Sequence, residues 1–207
     1  ALAAAYNKPW DKAAINAIAY STEQFFHGTP SGGDNTTSCY GGLLQFRKTP
    51  SGPVIEPLDI GYELEGFIAV DAGKREKNTG QLVQQVRGLD PAFVSQRFKL
   101  MGEGSKAMLD ALRARDFGKM QALMALAQRC LKELGVSTPA IDRIAAESQA
   151  LGGAAKGCGA AGGGTVLCYH REPARLVARL KELGFNPIPI TLGAEGLRLE
   201  SARAGED

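Results

Sequence analysis

A chain of 207 residues with 44% apolar content has room for one large domain or two modest ones, each with a real core. Its formal net charge is +2 with both signs mixed throughout, which excludes nucleic-acid binding through a broad basic face. No apolar run is long enough to span a bilayer, and the first residues lack the layout of a secretory signal, so no membrane partner is expected.

The elements follow in chain order. Ala1–Tyr6 reads as a helical scrap, punctuated by Asn7-Lys8-Pro9. A helix capped by Asp11 follows, with Ala14, Ile15, Ile18, Ala19 and Phe26 at helical spacing. Glu23 and His27 share a face near its C-terminal end. The run HGTPSGGDNTTSCYGG, His27–Gly42, is so broken by glycine and Pro30 that irregular structure is expected throughout it. Such a run lets backbone amides approach a ligand closely, so Glu23, His27 and Asp34 suggest a polar pocket at a helix C-terminus. Strands are expected at Leu43–Arg47, Val54–Leu58 and Phe67–Val70, with a domain boundary near Ile60.

Helices come next, over 78–86, 91–112, 116–134 and 139–151, with Asn78, Pro91, Asp116 and Pro139 at or near their starts. Their methionines fall on apolar faces and read as core fillers. A second glycine concentration, Gly152–Gly164, precedes a strand at Thr165–Tyr169. A helix opened by Pro173 follows, then two closing strands at Asn186–Leu192 and Leu197–Glu200 and a polar tail. Helices followed by short strands imply an α+β domain with a mainly antiparallel sheet.

Two glycine-rich stretches together with Glu23, Asp34 and Lys156 point to phosphate handling, although neither is a Walker A loop and no protein-kinase elements are present. Taken singly, each residue has a plainer role open to it. Asp34 fits a turn, Glu23 a solvated helix face and His27 a helix C-cap, while Ser31 and Thr79 fit local backbone bonds. Lys156 suits shaping of the loop, and His170 suits the surface. Cys39, Cys130, Cys158 and Cys168 show no C-x-x-C pair or zinc spacing, so they read as small buried thiols of a cytoplasmic chain.

Three motifs in order carry a family resemblance. They are E-x-x-x-H-G-T-P-S-G-x-D-N at Glu23–Asn35 with Tyr40-Gly41-Gly42, K-N-T-x-x-L-V-x-x-V-R at Lys77–Arg87, and L-G-V-S-T-P at Leu134–Pro139 leading to K-G-C-G-A-A-G-G-G at Lys156–Gly164. Across nearly its whole length the chain resembles the mevalonate kinases of the GHMP small-molecule kinase superfamily. The resemblance implies a two-domain fold, with 1–60 the remainder of the N-terminal domain and 61–207 the C-terminal domain. It implies ATP and Mg2+ as cofactors, mevalonate as substrate, and possible homodimers. Asp34 would be the base beside the substrate hydroxyl and Glu23 the magnesium ligand. His27, Ser31 and Thr79 would line the substrate pocket, and Gly159, Ala160, Gly162 and Gly163 would form the phosphate-side loop.

Cys158 stands where the family has Thr or Ser, and Ala161 where it has glycine, so crowding is expected in that loop. The family's N-terminal lysine segment and its P-x-x-x-G-L-G-S-S-A nucleotide loop would precede Ala1, so the chain is expected to be the greater part of a longer enzyme. Phosphomevalonate kinase or another GHMP sugar or alcohol kinase is the alternative. A non-catalytic remnant, exposing apolar surface and prone to self-association, is a third.

Overall fold

The computed structural model describes residues 11–27, 30–49 and 51–198, without the side chains of Phe26, His27 and Lys48. The expected scrap at 1–6 and the tail after Ser201 lie outside these residues. Contacts divide the chain into two compact units, one comprising residues up to Gly61 with those from Leu192 onward, the other Tyr62–Thr191.

In the first unit, helix α1 (Lys12–His27) starts as expected, with Ala14 N–H donating to Asp11 Oδ1 at 2.7 Å. The expectation of irregular structure through His27–Gly42 is overturned, because Gly33–Tyr40 is a helix, α2. Its glycines lie at its edges. Gly32 precedes it at φ 86° and Gly41 ends it at φ 71°, while the segment from Asp34 to Tyr40 contains no helix breaker. Strands β1 (Leu44–Thr49) and β2 (Gly52–Pro57) form an antiparallel hairpin, pairing Phe46 with Ile55.

The second closing strand, expected at Leu197–Glu200, is not formed at its two described residues, and the other two lie outside the described residues. Residues 197 and 198 are not in a strand, and an isolated bridge joins Gly41 to Glu195 instead. That segment is tied into the first unit by Gly42 N–H to Ala194 O (2.8 Å) and Leu197 N–H to Cys39 O (3.0 Å). Part of the region expected in the second domain therefore groups with the first by contact.

The second unit is built on an antiparallel sheet in the order β4–β5–β3–β6. Its strands are Ala154–Gly157 (β4), Thr165–Tyr169 (β5), Phe67–Asp71 (β3) and Pro187–Ile190 (β6). Strand β4 lies inside the glycine concentration and was not expected. Its pairing with β5, Gly157 opposite Val166, turns 158–164 into a hairpin connection. The helices are α3 (Thr79–Arg87), α4 (Pro91–Arg113), α5 (Phe117–Glu133), α6 (Pro139–Ala150) and α7 (Pro173–Glu182).

Their starts follow from sequence. Asn78 and Gln81 make a reciprocal capping box, Asp90 and Asp116 accept from Phe93 and Lys119 N–H, and prolines open α4, α6 and α7.

Strand alternation places Ile68, Val70, Val166 and Cys168 in one core with Ile141, Ile144, Leu176 and Leu180. Each of these aliphatic side chains contributes roughly 1.5–3 kcal/mol by burial. The neighbouring pair Phe67 and Tyr169 instead meets Phe117, which stacks on Tyr169 at 5.8 Å. Met120 and Met124 are buried, as core fillers should be. His170, expected at the surface, is buried. Its Nδ1 accepts from Glu172 N–H and its Nε2 donates to Leu151 O, so it braces a chain reversal.

Gly41 provides a test of the first unit. A Cβ there would collide with Gly196 N and stand 2.7 Å from Gly196 Cα, at a φ that already disfavours L side chains. Gly41→Ala is expected to lower stability by about 3 kcal/mol in denaturant titration, whereas Gly61→Ala, with open space around it, should lose only about 1 kcal/mol from its positive φ.

Candidate functional site

The predicted site residues are divided between the two units, and each unit builds its own part. In the first, Asn16, Tyr20, Glu23 and His27 follow one another at helical spacing and form a stripe along α1. Glu23 is half-buried on it, and the His27 side chain lies outside the described residues. Gly32, at φ 86°, turns the chain from Ser31 into α2, which begins at Gly33.

Asp34 sits exposed in the first turn of α2, where unpaired helix N–H groups favour a carboxylate. Ser31 Oγ accepts from Gly33 N–H at 3.1 Å, so this serine does make the local backbone bond open to it from sequence.

The next residues turn inward and lock α2 to α1. Buried Asn35 donates to Asn16 Oδ1 at 2.6 Å, and Asn16 donates to buried Thr36 Oγ1 at 3.3 Å. Asn35 Oδ1 is a buried acceptor without a partner among the described residues. A cavity of about 510 Å³ opens beside this lock, lined by Asn16, Tyr20, Ser31, Asn35, Thr36 and Tyr40 among others. The motif thus places one carboxylate, one hydroxyl and an unsatisfied acceptor around a single helix start. Sequence reasoning missed Asn16, although its place about two and three turns before Glu23 and His27 on the same stripe is a signal that could have marked it.

In the second unit, the loop 158–164 is strapped at several points. Cys158 N–H reaches Thr165 O, Gly162 N–H reaches Val136 O at 2.7 Å, and Gly164 N–H reaches Gly73 O. The Gly162 bond explains why the Leu134–Pro139 motif accompanies the glycine loop, since one supplies the acceptor that holds the other. Gly162 also leaves no room for a side chain, because a Cβ would stand 2.6 Å from Leu82 Cδ1.

Ala161 occupies the left-handed region at φ 60° and is fully buried, so the crowding expected there is realised as backbone strain. The N–H groups of Gly159, Ala160 and Gly163 have no acceptor among the described residues and remain available.

Thr79 is half-buried at the first position of α3. A cavity of about 420 Å³ lies against the loop, lined by Lys74, Lys77, Ser137, Thr138, Gly162 and Gly163 among others. Gln128, missed from sequence, supports the loop from below. It accepts from Gly157 N–H at 2.9 Å and donates to Ser137 Oγ, which donates to Asp142. A polar residue on the buried face of α5, between Met124 and Leu131, was the available signal.

Lys156 Nζ donates to Gly157 O at 2.8 Å beneath an apolar groove that includes Val83, Phe98 and Met101. Burial lowers its pKa below the ordinary 10.5, opposed by the nearby Cys158. Burial also pushes the Cys168 thiol up to about 12, so it stays protonated and unreactive. Among the described residues no three His, Cys, Asp or Glu side chains gather as a metal cage, and no helix is long and apolar enough to cross a membrane.

Residues 108–185 match the family described as GHMP kinases C terminal. The mevalonate kinase of Methanocaldococcus jannaschii is 31% identical over 185 residues, covering 89% of this chain and 57% of that protein. Among solved structures, L. major mevalonate kinase in complex with R-mevalonate superposes with a TM-score of 0.83 at 22% identity, covering 95% of this chain and 63% of that one. Streptococcus pneumoniae phosphomevalonate kinase, in complex with phosphomevalonate and AMPPNP, superposes at 0.74 and 18% identity, covering 91% and 64%. The chain therefore spans less than two thirds of the length of each of these proteins.

The strapped loop predicts two opposite outcomes. Gly162→Ala should cost about 2–3 kcal/mol in denaturant titration, from its clash with Leu82 and its φ of 75°. Ala161→Gly should stay within about 1 kcal/mol of the parent, because relief of roughly 1–2 kcal/mol of left-handed strain is offset by the lost methyl and added unfolded-state freedom.

Lys156 makes a second test. Its amine binds its proton less tightly in the folded chain than in the unfolded one, so the unfolded state holds more protons between the lowered folded value and 10.5. Stability relative to Lys156→Met should therefore rise with pH across that window and be level below it, as read by denaturant midpoints at stepped pH.

Proposed function

Residues 108–185 belong to the C-terminal family of the GHMP kinases and the chain carries their fold; from this premise we propose that it serves the ATP-dependent phosphorylation of the primary hydroxyl of mevalonate to 5-phosphomevalonate. The observation that carries the reading is the helix start at Ser31–Thr36. It presents Asp34 to solvent within a run that resembles the mevalonate kinase motif, and the neighbouring Ser31, Asn35 and Thr36 line a cavity of substrate size.

Phosphoryl transfer asks a protein for alignment and charge neutralisation more than for covalent chemistry. Asp34 is the base that accepts the proton of the attacking hydroxyl and orients its oxygen for in-line attack on the γ-phosphate. His27, Ser31 and Thr79 contact the substrate. Asn35 Oδ1, buried and without a partner among the described residues, is suited to accept a hydrogen bond from a ligand hydroxyl or a neighbouring donor.

The open amides of Gly159, Ala160 and Gly163 are fixed donors toward phosphate oxygens, with Gly162 shaping the loop while its own N–H is engaged. Glu23 would hold magnesium. One carboxylate together with ATP phosphates and water is an ordinary environment for that ion, and Glu23 is half-buried. When bound, magnesium neutralises phosphate charge. A cytoplasmic location and a homodimer belong to the same proposal.

Phosphorylation of phosphomevalonate is the second reading, favoured by the likeness to the pneumococcal phosphomevalonate kinase. The test is ADP release by the full-length protein with Mg-ATP and either alcohol. Mevalonate-dependent turnover is expected, and Asp34→Ala should reduce it by about 10²–10⁴-fold. Loss of a helix-N-terminal carboxylate costs only about 0.3–1 kcal/mol of stability, so the variant should remain folded. Turnover that survives in Asp34→Ala would remove Asp34 from the role of base. Turnover on phosphomevalonate alone would move the chain to the second reading.

A further inference from the structure

Arg75 lies between β3 and α3, exposed, and no sequence motif marked it. Its single hydrogen bond among the described residues is a long one, Nε to Gly163 O at 3.4 Å, and no carboxylate pairs with it. An arginine fork with one long bond leaves most of its donors unused.

Its guanidinium is nonetheless held against both ends of the glycine loop. A Cβ on Gly164 would stand 3.2 Å from Nε and 3.4 Å from Nη2, and one on Gly159 would stand 3.8 Å from Nη2. The Arg75 stem lies equally close to Gly163, where a Cβ would be 3.2 Å from Cγ. A side chain at 164 would press on this guanidinium, and one at 163 would first meet Gly73 O at 3.0 Å.

The same loop carries the three amides that find no acceptor, those of Gly159, Ala160 and Gly163, and Gly163 is itself buried. Backbone donors without an acceptor and a guanidinium without a carboxylate, among the described residues, thus lie along one loop, with Lys74 and Lys77 nearby in sequence and Glu76 the acidic neighbour, a donor set suited to an anion. We propose that Arg75 is a phosphate-binding residue of this loop, closing over phosphate oxygens held by the amides of Gly159, Ala160 and Gly163. The proposal rests on the kinase reading for the identity of its ligand, a phosphate ester or diphosphate. The site itself does not depend on turnover.

The test is calorimetric titration of the full-length protein with pyrophosphate, comparing the parent with Arg75→Met and Arg75→Lys. Arg75→Met should weaken binding about tenfold or more. Arg75→Lys should fall between, keeping the charge but losing the fork, and the ligand-free melting temperature should hold within about 2 °C.

Equal binding by Arg75→Met, or no binding by the parent, overturns the proposal. A large fall in ligand-free melting temperature in both variants also overturns it, making Arg75 a strut of the loop. Titrations with ADP and with 5-phosphomevalonate then assign the source. Weakening with either one supports the clamp and says whose phosphate it holds, and weakening with neither overturns it. Arg75-dependent pyrophosphate binding without ADP release on any alcohol would sink the kinase reading and leave the clamp standing.

Discussion

The pairing of β4 with β5 is the constraint on which the glycine loop at 158–164 depends. With Gly157 opposite Val166 and Cys158 N–H on Thr165 O, the intervening residues must form a closed hairpin connection. Its course is then set by where its amides are taken up, Gly162 on Val136 O and Gly164 on Gly73 O. The amides left over are the ones a ligand could use. Because Val166 and Cys168 are fully buried opposite Val70 and Ile68, the hairpin cannot slip by one residue without exposing its core face.

Around that loop the glycines have separate reasons. Gly162 is required by Leu82 and Gly163 is crowded by the Gly73 and Arg75 backbone, while Gly164 lies against the Arg75 side chain and Gly157 against Ala161. Ala161 departs from this economy and holds a left-handed conformation under strain, fully buried, which is tolerable because the neighbouring bonds overdetermine the backbone. In the first unit the logic is inverted. There the glycines bracket a short helix, and the polar residues within it, Asn35 and Thr36, are used to dock that helix on α1 rather than to meet solvent.

These arrangements explain which readings of the sequence succeeded. Helix starts were legible because they are local: Asn78, Asp90 and Asp116 each satisfy an N–H three residues on, and the prolines that follow Asp90 and Thr138 set the first turn. Strands β3 and β5 were legible as apolar runs. Helix α2 and strand β4 were misread because glycine density was taken as a property of the whole run, while the glycines lie beside those elements or at their ends. His170 was misread because its partners, Leu151 O and Glu172 N–H, meet only after the chain reverses.

Sequence alone determined the α+β class, the helix boundaries near their caps, and the motifs at Glu23–Asn35 and Lys156–Gly164 on which the GHMP kinase resemblance rests. Those signals depend on residues a few positions apart, where propensity, capping and spacing act directly. Tertiary structure decided the rest: which amides of the loop are engaged and which are open, that Asn16 locks α2, that Gln128 props the loop, and that Arg75 lies across it. Each of those depends on partners distant in sequence, brought together only once the sheet and its helices have packed.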